Sequence, residues 1–279
     1  MRLFSNAAPS LTEKNLPDQS GKVFIVTGRT GGLGHHLVKM LYAQNAKVWI
    51  AAHSEEKATK IMDQIKAIHP SSRGALLYLQ LELNDLTTIK ASAEKLLTQE
   101  NSLHVLWNNA GVMRPPQGSK TKQRYELEIG MNNAAPHLFT KLLTPLLKQS
   151  PRSHLLEPKA GNIYQGTEYS RRYSQDGILS VSVDPGFLKT DLYHNLPRWQ
   201  APFMNLLLHD PIYGAYTELY AGLSTDIEMS SNGNFVEPWG KLTPARKDTV
   251  LGSKSREEGG SGIATDFWEW CGKQIAEFV

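Results

Sequence analysis

The stretch Thr27-Gly28-Arg29-Thr30-Gly31-Gly32-Leu33-Gly34 carries the most specific chemistry in the chain. A tight turn needs a residue that tolerates positive φ, and close approach of backbone to a pyrophosphate needs one without a side chain. A helix opening directly afterwards presents free N–H groups and a partial positive charge to phosphates. The loop reads as a phosphate cradle, provided a strand leads into it and a helix leaves it. Two further groups stand at comparable places: Asn108-Asn109-Ala110-Gly111, and Pro185-Gly186 with Leu188 and Thr190. Each follows an apolar run directly.

These loops need elements to hold them. Residues 23–27 (VFIVT) are short, continuously apolar and rich in β-branched side chains, as a strand buried on both faces should be. A helix is expected over 33–44, with Leu37, Met40 and Leu41 on one stripe, and a second strand over 47–52. Ser54 is a plausible N-cap, with Glu55 and Glu56 favourable in the first turn of a helix to about Ile68. Strands follow over 76–83 and 103–107, with a helix through Leu96 and Leu97 between them. Beyond Gly130 the pattern predicts helices to about Lys148 and over roughly 160–173, and a strand over 178–183. A helix over 213–223 and a short strand near Phe235 complete it. This alternation implies an α/β fold of Rossmann type: a doubly wound parallel sheet flanked by helices, with right-handed crossovers. Residues 1–20, polar and carrying Pro9 and Pro17, read as an arm, and 21–279 as a single nucleotide-binding domain.

The spacing TGxxxGxG, the Asn-Asn-Ala-Gly run and the Pro185-Gly186…Thr190 loop, in that order, resemble the short-chain dehydrogenase/reductase family. The likeness is to its fungal, retinol-dehydrogenase-like branch. Glu237-Pro238-Trp239-Gly240 and Phe267-Trp268-Glu269-Trp270 add to the similarity, which runs from about Thr12 to the C-terminus with one gap. The resemblance implies an NADP(H)-binding oxidoreductase acting on an alcohol or carbonyl group. It places Thr27, Gly28, Arg29, Gly32, Leu33 and Gly34 around the phosphates. Asn109, with Ala110 and Gly111, lies along the adenosine ribose, and Glu82 replaces an adenine-binding aspartate. Pro185, Gly186, Leu188 and Thr190 belong at the nicotinamide end. Charge bears on the choice of cofactor, because NAD-preferring sites place an acid at the end of the second strand. Here that strand ends Ala51-Ala52-His53, and Arg29, His53 and Lys57 could attract a 2′-phosphate. NADP(H) is favoured over NAD(H).

Members of that family relay a proton through a tyrosine, aided by a lysine four residues later, a serine and an asparagine. A tyrosine at its ordinary pKa of about 10 exchanges protons poorly near neutrality, and i,i+4 spacing puts Tyr and Lys on one helix face. Asn132 matches the asparagine and Lys159 the lysine, which also holds the ribose. Leu155, however, stands four residues before Lys159, and no tyrosine in the chain has a lysine four residues after it. Tyr164 lies beyond Lys159 and off its face, as a packing residue would. Only 149–158 join the long helix to Lys159, too few for a return loop, a strand, the serine turn and the tyrosine together. An interior fifth strand is therefore expected to be absent or truncated, with His154 to Leu156 at most a stub. Strands four and six would then lack a common neighbour. Two readings stay open: a working NADP(H)-dependent enzyme, or an inactive nucleotide-binding pseudoenzyme or truncated gene product lacking the serine and tyrosine.

The remaining features narrow the class. A net charge of +3 over 279 residues gives no reason to expect nucleic acid, and Lys120, Lys122 and Arg124 read as a solvated loop. One cysteine, Cys271, excludes a disulfide framework, and His35 and His36 lack the companions of a metal site. No run approaches the ~20 apolar residues of a membrane span, so a cytoplasmic setting is expected. A lid over about 192–211, with Trp199, Phe203, Met204 and 206–208, suggests a lipophilic small-molecule substrate, retinoid-like or polyketide-like, of secondary metabolism. Phe267, Cys271, Ile275 and Phe278 give a terminal helix one apolar face that should dock on the chain's own core. A homo-oligomer, common in the family, is a further possible partner state.

Overall fold

A computed structural model describes residues 8–28, 32–150, 152–157, 162–190, 208–244 and 247–279. Its sheet has the order β3-β2-β1-β4-β5-β6-β7-β8. The strands are β1 (Val23–Thr27), β2 (Lys47–Ala52), β3 (Ala75–Gln80), β4 (Val105–Trp107), β5 (Ser153–Glu157), β6 (Ile178–Val183), β7 (Phe235–Glu237) and β8 (Lys241–Thr243). All neighbours pair in parallel except β7 and β8, which form an antiparallel hairpin at the edge. The helices are α1 (Leu33–Ala43), α2 (Glu55–Ile68), α3 (Leu86–Gln99), α4 (Leu127–Ile129), α5 (Ala135–Lys148), α6 (Asn162–Tyr173), α7 (Pro211–Leu223), α8 (Lys247–Ser253) and α9 (Ile263–Ile275).

Strand pleating divides the core into two layers. Along β1, Phe24 and Val26 pack with α1, α2 and α7, while Val23 and Ile25 pack with α3 and α5 on the other face. The terminal helix docks on the chain itself, burying Ala264, Cys271 and Ile275. Among the described residues no helix is long and apolar enough to cross a membrane.

The interior strand needs a correction. β5 is present, and at five residues it is as long as β1. The stub expected over His154 to Leu156 gains one residue at each end. Strands four and six do share a neighbour: Val105, Leu106 and Trp107 pair with His154, Leu155 and Leu156, and β5 pairs with β6 along its whole length. The His154 N–H donates to the His104 carbonyl at 2.9 Å and the Asn108 N–H to that of Leu156 at 3.1 Å. The adjacent leucines feed opposite layers, Leu155 with the α3–α5 side and Leu156 with the α1–α7 side. Five residues suffice because both flanking strands supply the pairing that isolated propensity does not.

Candidate functional site

Three loops meet at the C-terminal edge of the sheet. Gly28 takes a φ of +116° and Gly32 one of +70°, where a side chain would be strained. At Gly28 space matters equally, since a Cβ there would stand 2.8 Å from the Ala110 Cα. The glycine turn and the Asn109–Ala110 backbone are thus in direct contact. Asn109 Nδ2 donates to the Thr27 carbonyl and the Ala110 N–H to Thr27 Oγ1, each at 3.0 Å. The Gly28 N–H donates to the Ala51 carbonyl, tying in the end of β2.

Gly32 is the N-cap of α1 and offers no side chain, whereas Ser54, Asp85 and Asp210 cap α2, α3 and α7 with side-chain oxygens. Among the described residues, nothing takes that capping role at α1. Its first N–H groups and its dipole suit a phosphate-bearing ligand, and the missing Cβ atoms give it room. The residues present therefore fit a nicotinamide dinucleotide. Gly34 lines a hollow beneath this turn together with Gly28, Val26, His35, Val38, Ile50 and Ile61.

The third loop leaves β6 through Pro185 and Gly186, whose φ is +86°. A Cβ on Gly32 would lie 3.4 Å from Thr190 Cγ2, so this loop reaches the glycine turn. Leu188, buried at 4% exposure, is wedged between α1 and α7. A side chain at Gly214 would collide with both Leu188 and Leu33, and would come within 3.1 Å of the Pro185 carbonyl.

An outer ring surrounds the loops. His53 and Lys57 are exposed at the end of β2 and in the first turn of α2, and Gln80 Nε2 donates to the His53 carbonyl at 3.1 Å. Glu82 is half-buried and accepts from the Asn84 N–H at 2.9 Å, so one of its oxygens is engaged locally. Asn132 sits in a π-helical turn, Gly130–Ala134, a feature common at functional sites. Its Oδ1 accepts from the Val112 N–H at 2.9 Å and its Nδ2 donates to the Val112 carbonyl at 2.8 Å. Both ends of the amide are committed to main chain just past Gly111. The same turn is tied to α6, because Asn133 Nδ2 donates to Asn162 Oδ1 and Gln165 Nε2 to the Asn133 carbonyl. Arg29 and Lys159 lie outside the described residues, as do residues 192–207 of the lid expected over about 192–211. Only four residues, Pro158-Lys159-Ala160-Gly161, join β5 to α6, and they include neither serine nor tyrosine.

Sequence reasoning missed Val112, Gly214 and Trp239, whose indole edge lies 3.0 Å from where a Cβ on Gly186 would stand, as parts of this assembly. Only Trp239 carried a signal, in the Glu237-Pro238-Trp239-Gly240 run. The family model described as short chain dehydrogenase matches residues 22–163, about half of the chain. The chain belongs to the short-chain dehydrogenase/reductase family. A short-chain dehydrogenase/reductase of Phomopsis amygdali is 39% identical, over 98% of this chain and 95% of its own length. Another from Emericella nidulans is 38% identical, over 99% of this chain and 100% of its own. The first alignment runs to 316 positions, 37 more than this chain's 279 residues, so at least that many face gaps here. The fold is similar to an NADPH-bound carbonyl reductase from chicken fatty liver, with a TM-score of 0.62 at 20% identity over 82% of this chain and 100% of that one.

Proposed function

We propose that this short-chain dehydrogenase/reductase is NADP(H)-dependent and interconverts a lipophilic alcohol and its carbonyl compound, in secondary metabolism. The observation that carries the reading is the end of β2, where His53 and Lys57 stand exposed and the strand itself brings no acid. The first carboxylates, Glu55 and Glu56, come in the opening turn of α2. A 2′-phosphate at that end is favoured over a bare ribose hydroxyl. The cofactor, when bound, supplies or accepts the hydride. Thr27, Gly28, Gly32, Leu33, Gly34, Asn109, Ala110 and Gly111 hold its phosphates and adenosine half, with Arg29 and Glu82 beside them. Pro185, Gly186, Leu188 and Thr190 hold the nicotinamide end. Lys159 holds the ribose, and Asn132 fixes the loop after Gly111.

One observation favours a second reading, cofactor binding without turnover. The four residues that join β5 to α6, Pro158-Lys159-Ala160-Gly161, bring no hydroxyl to relay a proton. NADPH oxidation followed at 340 nm with aromatic and long-chain aldehydes and ketones separates the two. Sustained turnover that is slower with NADH establishes the first. Saturable NADPH binding with no turnover on any carbonyl establishes the second.

A further inference from the structure

We infer that Trp239 is a positioning residue for the nicotinamide end of the cofactor site, an inference that rests on the proposed NADP(H) site. It occupies the three-residue turn of the β7–β8 hairpin, between Glu237 and its partner Lys241. Hairpin turns ordinarily carry small polar residues. This one carries a tryptophan only 5% exposed, which belongs to the core layer of α1 and α7 and also lies against a loop.

What it touches gives the reason. A Cβ on Gly186 would stand 3.0 Å from the edge of the indole, so the ring lies against the backbone of the loop leaving β6. Its centroid is 4.9 Å from that of His209, edge-on, and 5.2 Å from that of Tyr213. His209 clamps the same loop through its main chain. Its N–H donates to the Phe187 carbonyl at 2.8 Å and its carbonyl accepts from the Lys189 N–H at 2.9 Å. Together these form a bridge opposite Leu188. Beyond the bridge, Leu188 packs on Leu33 across Gly214, and Thr190 reaches Gly32. The hairpin is itself anchored, because a Cβ on Gly240 would stand 2.9 Å from the Tyr220 ring of α7. Contact is continuous from Trp239 to the glycine turn.

A loop held in place before the ligand arrives does not have to be ordered on binding, and that cost is removed from the affinity. The adenosine half of the site is built from the ends of β1, β2 and β4 and is tied together by the Thr27–Asn109, Thr27–Ala110 and Gly28–Ala51 hydrogen bonds. This chain of contacts meets it only at its far end, at Gly32 and Leu33. Trp239 and His209 therefore act on the nicotinamide end selectively.

Two probes divide the site: NADPH, and 2′-phospho-ADP-ribose, which lacks nicotinamide. Their dissociation constants are measured by calorimetry on the full chain, for wild type, Trp239→Leu and His209→Leu. The expected result is NADPH weakened about tenfold, or about 1.4 kcal/mol, with 2′-phospho-ADP-ribose changed by less than about twofold. A merely structural role would weaken both probes together, and that result overturns the inference, as does unchanged NADPH binding in both variants. If Trp239→Leu does not fold, His209→Leu decides alone, with Trp239→Phe expected to bind like wild type. Wild-type protein that binds neither probe overturns the NADP(H) site and this inference with it. Wild-type protein that binds both, with variants unchanged, removes only the inference.

Discussion

His137 on α5 and His154 on β5 are each only 5% exposed. Burial pushes both imidazoles down to about 4, and neighbouring cations add to it: Lys141 and Arg172 at His137, Arg152 at His154. Among the described residues neither ring finds a carboxylate to offset this. His137 packs edge-on to Trp268 at 4.5 Å, and His154 Nδ1 faces the Ala221 carbonyl at 3.2 Å. Both pKa values lie below the ordinary histidine value of about 6.5, so the unfolded chain takes up these protons first. Their contribution to stability is complete above about pH 6.5 and is lost as pH falls from there to about 4. The melting temperature should hold steady from pH 7 to 8 and drop across that window. His137→Phe combined with His154→Gln should flatten the drop, and an equally steep fall in the double variant would rule these residues out as its source. At this scale the sequence was readable in identity but not in role. Thr27 was visible as a member of the glycine motif. That its hydroxyl and carbonyl staple the second loop to the first depends on β1 lying beside β4, which no local pattern states.

β5 shows where element-scale reading failed and why. The glycine turn was legible because its meaning is local: strand, turn and helix are consecutive in sequence. The run Ser153-His154-Leu155-Leu156-Glu157 is short, has polar ends and carries no turn chemistry, so by itself it signals little. Its stability comes from β4 on one side, β6 on the other and both core layers, all distant in sequence. The fit has a cost: the buried hydroxyls of Ser153 and Ser180 have no hydrogen-bond partner among the described residues. The hairpin strand β8 and helix α8 were missed for the same reason as β5, being short and without strong periodicity. The strand makes a quantitative claim. Leu156 is 1% exposed and packs beside Trp107 and α7, where a Cβ on Gly222 would meet both side chains. Leu156→Ala should cost about 2–5 kcal/mol in denaturant unfolding, the range for a leucine deleted from a packed interior. A loss below about 1 kcal/mol would mean that residues 153–157 do not fill the interior of the sheet.

At the scale of the whole molecule, the candidate site exists only because one continuous sheet brings together residues from Thr27 to Thr190. Its occupancy should therefore report on the entire fold. A ligand that binds only the native state at a hundred times its Kd adds about 2.7 kcal/mol. For a domain of this size that is a rise of several degrees in melting temperature. Excess NADPH should produce such a rise in a single cooperative transition, because in the proposed site its phosphates would engage α1 while its two halves would bridge loops on either side of β1. NADH at the same concentration should produce a smaller one, since His53 and Lys57 then face no 2′-phosphate. Equal shifts from the two would remove the argument from the end of β2 while leaving the cradle intact. A broad transition that neither ligand moves would locate the failure elsewhere: the short join between β5 and α6 would then have weakened the sheet that the site depends on, and binding would be lost together with cooperativity.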